Sequence, residues 1–296
     1  MISFKKITLR EKDLLNKYFK YHKERSCDFT VGVALMWKDF YSIEYAVDED
    51  TLFLKYTSPS GDIVFPYPQG ENPKKGLDKI YDYCIENNLP PIFCFITEND
   101  LKIIENHFTE IEAKDERMWS DYLYDAQSII SLEGKKYRGQ RNHINKFLRT
   151  YPNFSFEQIT QDTKHEAQEF FEEISENFDK TSQYALEDQK KAKEVIKNCS
   201  DYSMFGAMLK VSDTVIGISY GEILNDTLYI HIERANTEYL GAYQMLVNSF
   251  AKAFVTEDIK YINREDDSGD PGLRQSKLSY NPIKLIDKYN VKIIKK

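Results

Sequence analysis

The stretch Tyr261 to Pro282, YINREDDSGDPGLRQSKLSYNP, packs Arg264, Glu265, Asp266 and Asp267 against the end of a β-type run. Arg274, Lys277 and Tyr280 follow just beyond. Upstream, Thr227 to Arg234 alternates, with Tyr229, His231 and Glu233 on one strand face and Leu228, Ile230 and Ile232 on the other. These residue types suit acyl transfer to an amine or hydroxyl. That reaction needs a base for the nucleophile, donors for the developing oxyanion and an acid for the leaving group. Glu233 reads as the base or an amine-binding carboxylate, or else as a surface glutamate paired with Arg234. His231 reads as a proton relay or as a packed, hydrogen-bonded histidine. Tyr280 reads as the acid, since a phenol with a pKa of about 10 is a reasonable proton donor; with 21 tyrosines in the chain, a structural role competes. Glu265, Asp266 and Asp267 suit substrate binding, the two aspartates toward a cationic aminoacyl group or as caps of the next helix. Arg274 and Lys277, three apart, share a helix face suited to a phosphate-bearing donor, and Arg264 suits the same anion.

A second concentration of charge lies at mid-chain. Gly134 to Phe156 contains no Asp or Glu but holds Lys135, Lys136, Arg138, Arg141, Lys146 and Arg149. Removing these six from the 40 Lys and Arg leaves 34 against 48 acids, a balance of −14 in a chain whose net charge is −8. Within the segment Tyr137, Ile144, Leu148 and Tyr151 share one helical face, while Arg138, Arg141, Asn145 and Arg149 share another; Pro152 ends it. The spacing predicts an amphipathic linker helix docked on one domain. Its Arg138, Arg141, Lys146 and Arg149 either engage a polyanion or neutralise the acidic flanks.

The elements that must position these residues repeat. The first half reads as a capping box, Thr8-Leu-Arg-Glu11, and a helix through about Arg25. Three strands follow (Phe40 to Val47, Thr51 to Tyr56, Ile63 to Tyr67), then a helix from Pro73 to Asn87, the strand PIFCFIT, a helix from Thr97 to His107, and β-type residues to about Tyr124. The second half gives a strand at FSFEQI and a capping box, Thr163-Lys-His-Glu166, opening a helix to Phe178. A helix from Leu186 to Cys199 leads to three strands (Met204 to Lys210, Val215 to Leu224, Thr227 to Arg234), the hairpin turn of the last pair being Asn225-Asp226. A helix from Gly241 to Phe254, the strand at Ile259 to Asn263, a helix from Pro271 to Ser279 and a last strand near Ile283 to Ile294 complete it. Two α/β domains of one plan follow, each a mixed sheet flanked by helices. The expected boundaries are 1–130, 131–153 for the linker helix and 154–296.

Composition bounds the rest. Mean hydropathy is −0.58, and no apolar run approaches the ~20 residues of a membrane helix. The opening MISFKKITLREKD has no apolar signal core, so a cytoplasmic location is expected. Cys27, Cys84, Cys94 and Cys199 lack metal-type spacing, so no metal site is expected and the thiols read as reduced and mostly buried. No phosphate-cradling P-loop, dinucleotide fingerprint or Ser/His/Asp motif occurs.

Three stretches, GKKYRGQRNHINKF, YIHIERANTEYLGAYQ and YINREDDSGDPGLRQSKLSYNP, resemble the phosphatidylglycerol lysyltransferase C-terminal domain family, particularly its stand-alone members. The element order resembles tandem GNAT acyltransferase domains. The resemblance implies aminoacyl transfer from an aminoacyl-tRNA donor, with tRNA as the polyanion; the acceptor is a small molecule, a peptide or a lipid headgroup. It also implies that strands four and five of the second domain splay apart, with Glu233, Arg264 and an aspartate lining the gap. An acyl-CoA donor is the alternative, as is a module that binds ligand or RNA without catalysis. The coenzyme A loop of GNAT domains corresponds here to Glu238-Tyr-Leu-Gly241-Ala-Tyr243. Gly241 is kept, but Glu238 replaces the usual Arg or Gln and Tyr243 a small residue.

Overall fold

Thr8 and Glu11 close the first capping box: the Glu11 carboxylate accepts the Thr8 backbone N–H at 2.7 Å, while the Thr8 hydroxyl oxygen accepts from the Arg10 backbone N–H. In this computed structural model, which describes residues 2–176 and 183–296, a short strand β1 (Lys5–Lys6) precedes that turn and helix α1 (Lys12–Phe19) follows it. α1 ends short of Arg25 because the chain folds back at His22, whose Nε2 accepts the Ser26 N–H. Then come α2 (Val31–Met36), β2 (Glu44–Asp48), β3 (Thr51–Thr57), β4 (Ile63–Pro66), β5 (Gln69–Gly70), α3 (Pro73–Glu86), β6 (Ile92–Ile96), α4 (Glu98–Glu105), β7 (Glu110–Asp115) and β8 (Asp121–Asp125). The rest of the chain forms α5 (Ala126–Ser131), α6 (Arg138–Thr150), β9 (Phe154–Gln158), α7 (Lys164–Ser175), α8 (Gln183–Lys197), β10 (Phe205–Val211), β11 (Thr214–Leu224) and β12 (Thr227–Ala235). After these come α9 (Ala242–Phe254), β13 (Tyr261–Asn263), α10 (Pro271–Leu278), β14 (Lys284–Ile286) and β15 (Tyr289–Lys295). The expected extension of α7 to Phe178 lies outside the described residues.

Two compact units result. The first comprises Met1–Asp121, Asp266–Pro271 and Leu285–Lys296; the second comprises Tyr122–Glu265 and Gly272–Lys284. These differ from the expected contiguous boundaries. The first sheet runs β1-β2-β3-β4-β6-β15-β7, with β5 on β3, so the last strand of the chain sits between two strands of the first half. The second runs β14-β8-β13-β12-β11-β10-β9, so β8 from the first half lies beside β13. Each sheet is mixed: an antiparallel meander (β2-β3-β4, β10-β11-β12) joined in parallel to the next strand (β4 to β6, β12 to β13). The expected single strand from Ile283 to Ile294 is therefore two, β14 and β15, in different sheets.

α6 is part of the second unit and not a linker. Phe147, fully buried, packs with Leu209, Ile216, Ala235, Ala242, Met245 and Leu246. Leu148, expected on the packed face, is 39% exposed, one position out of phase with Phe147. Burying a phenylalanine of this kind contributes about 2–3 kcal/mol. The second expected capping box does not form. The Thr163 hydroxyl accepts the Thr160 N–H at 2.9 Å, and Glu166 pairs with Lys210 at 2.6 Å.

Within the first unit Lys288 is buried. Its ammonium lies 2.6 Å from Asp121 Oδ1, 2.7 Å from Asp28 Oδ2 and 3.4 Å from Cys27 Sγ. Cys27, Asp28 and Asp121 bring ligand-type atoms within 4.8 Å of one another. The charge they would offer a metal ion is already met by Lys288. Burial alone would lower the ammonium's pKa, but Asp121 and Asp28 outweigh it and hold the group protonated.

Candidate active site in the second unit

β12 and β13 pair in parallel only from Thr227↔Tyr261 to Tyr229↔Asn263. β13 stops there because the chain turns: the Asn263 side-chain oxygen accepts the Glu265 N–H at 2.7 Å, and Glu265 takes the left-handed conformation at φ 55°. β12 runs on to Ala235. On the far side of β12, the β11 register shifts at Gly221, where a Cβ would lie 2.2 Å from the Tyr229 carbonyl oxygen, so only glycine permits this approach. The strands thus part beyond Tyr229, and two side-chain links span the opening.

The first link is His231. Its Nδ1 lies 2.7 Å from Glu265 and its Nε2 3.0 Å from Glu222, with the imidazole 1% exposed. Burial alone would lower its pKa; the hydrogen bonds to Glu222 and Glu265 outweigh it and push it up to about 10. The imidazolium donates from both nitrogens, so neither is left to relay a proton. Of the two sequence readings, the geometry matches the packed, hydrogen-bonded histidine.

The second link joins Glu233 to Arg264, at 2.9 Å to Nε and 2.8 Å to Nη2. The alternative partner Arg234 turns instead to Asp188 at 2.9 Å. The Arg264 guanidinium lies over the Tyr280 ring, 4.8 Å from its centroid, and 5.9 Å from that of Tyr124 on β8. Its backbone is fixed as well. Arg264 N–H donates to the Tyr122 carbonyl, and the Lys277 ammonium donates to the Arg264 carbonyl. Burial pushes the Tyr280 phenol well above its ordinary pKa.

Hydrogen bonding within this cluster is incomplete. Six buried side-chain polar atoms make no hydrogen bond among the described residues; three of them are Glu233 Oε1, Arg264 Nη1 and Tyr280 Oη, and a fourth is Ser219 Oγ, on the cross-strand partner of Glu233. Such atoms are rare in folded proteins and call for a specific explanation.

Other expected site residues go elsewhere. Lys277 is buried on the Arg264 carbonyl and shares no exposed anion face with the half-buried Arg274. Asp266 and Asp267 belong to the first unit. There Asp266 accepts from the Ser268 N–H at 2.9 Å, and the fully buried Asp267 accepts from the Gly269 N–H and pairs with Arg117 at 3.3 Å. Gly241, at φ 86°, caps α9 in the left-handed conformation, and a Cβ on it would lie 2.5 Å from the His143 carbonyl oxygen. It is the seat of α6 on α9. On α6, Arg138, Lys146 and Arg149 are exposed, Arg149 also donating to the Asn145 carbonyl; Arg141 donates to the Leu132 and Gly134 carbonyls. None of these four, nor Lys135 or Lys136, pairs with an acid among the described residues. The sequence reading missed Tyr124 and Glu222. Glu222 had a signal, a carboxylate inside the otherwise apolar strand TVIGISYGEIL; Tyr124 had none, because its pairing with β13 is long-range.

The family model described as phosphatidylglycerol lysyltransferase, C-terminal, matches residues 19–292. A conserved protein of unknown function from Bacteroides thetaiotaomicron superposes with a TM-score of 0.93 at 28% identity, over 99% of this chain and 100% of that one. A C-terminal domain assigned to a lysylphosphatidylglycerol synthetase of Agrobacterium fabrum gives 0.69 at 12%, over 96% and 92%. A tandem GNAT protein from the clavulanic acid pathway gives 0.50 at 6%, over 99% and 98%, a likeness of fold alone. An uncharacterized protein of Mycoplasmoides gallisepticum is 29% identical over 178 residues, 59% of this chain; the match spans about half of that relative, 56% of its length.

Proposed function

Because the chain belongs to the phosphatidylglycerol lysyltransferase C-terminal family, a family of acyl- and aminoacyl-transferases with a tandem GNAT-like fold, we propose that it transfers an aminoacyl group from an aminoacyl-tRNA donor to an amine or hydroxyl acceptor. The observation that carries the donor class is α6. Six cations stand on one short segment of an acidic chain with no ion-pair partner among the described residues, so no direct ion pair supports the neutralising role. A polyanion is the complement such a surface attracts.

The reaction is an acyl transfer. The acceptor's lone pair attacks the ester carbonyl, the ester C–O bond breaks, and the proton lost by the acceptor ends on the ribose oxygen. Glu233, Arg264 and Tyr280 are the residues we assign to the centre. Coenzyme A as donor has less support, because Gly241 packs under α6 and the loop carries Glu238 and Tyr243. The acceptor is a small molecule, a peptide or a lipid headgroup; no described helix is long and apolar enough to cross a membrane. A second reading, a module that holds the donor without transfer, is favoured by one observation: Glu233 is occupied by Arg264.

Single-turnover incubation with charged tRNA separates them. Loss of the aminoacyl ester with appearance of an aminoacylated product supports the transferase. Stable binding with the ester intact supports the module, and absence of any tRNA binding at low salt removes both.

A further inference from the structure

We infer that Cys27 and Lys288, both in the first unit, form an oxidative cross-linking site, where hydrogen peroxide joins Cys27 Sγ to Lys288 Nζ as a sulfenamide. The two side chains are 261 residues apart in sequence, yet their reactive atoms lie 3.4 Å apart. Both are held in place. The Cys27 backbone N–H donates to Asp121 Oδ2 at 2.7 Å, and its thiol donates to Asp121 Oδ1 at 3.3 Å. The same Oδ1 lies 2.6 Å from the Lys288 ammonium. The thiol therefore has a carboxylate to take its proton and an ammonium to stabilise the thiolate, the form that reacts with peroxide. The other buried thiols differ. Burial pushes Cys84 up to about 12 and Cys94 well above its ordinary value, and no neighbouring cation among the described residues offsets it.

The reaction balances with one peroxide. The Cys27 thiolate attacks a peroxide oxygen, the O–O bond breaks, and a sulfenic acid and water form. Lys288 passes one proton to Asp121 or Asp28, and its freed lone pair attacks the sulfenyl sulfur. The S–O bond breaks, and the hydroxyl leaves as water with a second proton from the nitrogen. Sulfur gives up two electrons and peroxide takes them. The positive charge lost at nitrogen is matched by the carboxylate that took its proton, so the net charge of the buried cluster does not change. The new bond ties the turn before α2 to the residue preceding β15, the strand between β6 and β7. Closing so long a loop restricts the unfolded chain and favours the folded one.

The test is mass spectrometry of the full chain after hydrogen peroxide treatment and digestion without reductant. A linked pair of Cys27 and Lys288 peptides is expected, lighter than the sum of its parts by two hydrogen atoms, and dithiothreitol should return both peptides. The oxidised chain should unfold at higher urea than the reduced chain, and dithiothreitol should remove the gain. Lys288→Arg keeps a cation beside Asp121 but offers a guanidinium in place of an amine, so Cys27 should run on to sulfinic acid with no link. Should that variant fold poorly, Cys27→Ser changes one atom and should abolish the link. Cys27 recovered unmodified from the treated wild type, Cys27 as sulfinic acid beside a free Lys288, or a Lys288 link that persists in Cys27→Ser overturns the site.

Discussion

Glu233 on β12 and Arg264 just past β13, 31 residues apart in sequence, meet at 2.8 Å in the interior of the second unit, across the gap where their strands part. Both side chains are nearly out of solvent, Arg264 at 5% and Glu233 at 12% exposure. Removing one partner strands the other. Glu233→Ala is expected to destabilise the second unit by about 3–5 kcal/mol, while the double change Glu233→Met with Arg264→Met should cost much less, because no charge is left buried. A urea-denaturation double-mutant cycle measures this; additive costs would mean that the pair does not interact.

The last strand sets a second expectation. β15 supplies the partner for both β6 and β7 of the first sheet. Deleting residues 289–296 should therefore open the first unit, with amide exchange in β6 and β7 rising toward unfolded rates while β10 to β12 keep their protection. Loss of protection confined to the second sheet would contradict the strand order.

Two buried histidines should bracket the stability profile. His231 is raised from 6.5 to about 10, so its contribution is complete below pH 6.5 and is lost as pH climbs through 10. His22, lowered by burial to about 3, is neutral in the fold, so stability is complete above pH 6.5 and falls as pH drops toward 3, where only the unfolded chain takes up the proton. Thermal melts of His231→Gln should show a flatter alkaline limb, and those of His22→Gln a flatter acid limb. Unchanged limbs would show that other groups govern the profile.

Lys288 pairs with the buried Asp121 and the half-buried Asp28, so Lys288→Met removes the ammonium that both carboxylates share. The expected cost is about 3–5 kcal/mol. Urea denaturation of wild type and Lys288→Met measures it; an unchanged midpoint would argue against a stabilising role for the ammonium.

The α6 cations give the last expectation. If four phosphates are engaged, log K for tRNA should fall against log salt with a slope of about −3. Arg138→Ala with Lys146→Ala should reduce both affinity and slope, since both side chains are exposed and neither pairs with an acid among the described residues. Equal affinity and slope in the double variant would assign α6 to the fold alone.

Element order was legible in the chain because periodicity, capping and turn chemistry are local. The Asn225-Asp226 hairpin, both meanders and the strand preceding the charged cluster follow from neighbours in sequence. The charged cluster itself was visible as composition, and so was the acid-free segment of α6. Which charges meet was not. Lys277 and Arg274 read as a shared face until packing turned Lys277 onto the Arg264 carbonyl. Asp266 and Asp267 read as neighbours of Arg264, yet they fold into the other unit, two and three residues away along the chain. Strand exchange, with β15 in the first sheet and β8 in the second, leaves no local trace, because a ladder bond depends on what lies 4.7–4.9 Å away in space and not on what comes next in the sequence. The same holds for Glu233: its sequence allows a base, an amine-binding carboxylate or a surface partner of Arg234, and only the approach of Arg264 in the folded chain decided which of its oxygens is engaged and which makes no hydrogen bond among the described residues.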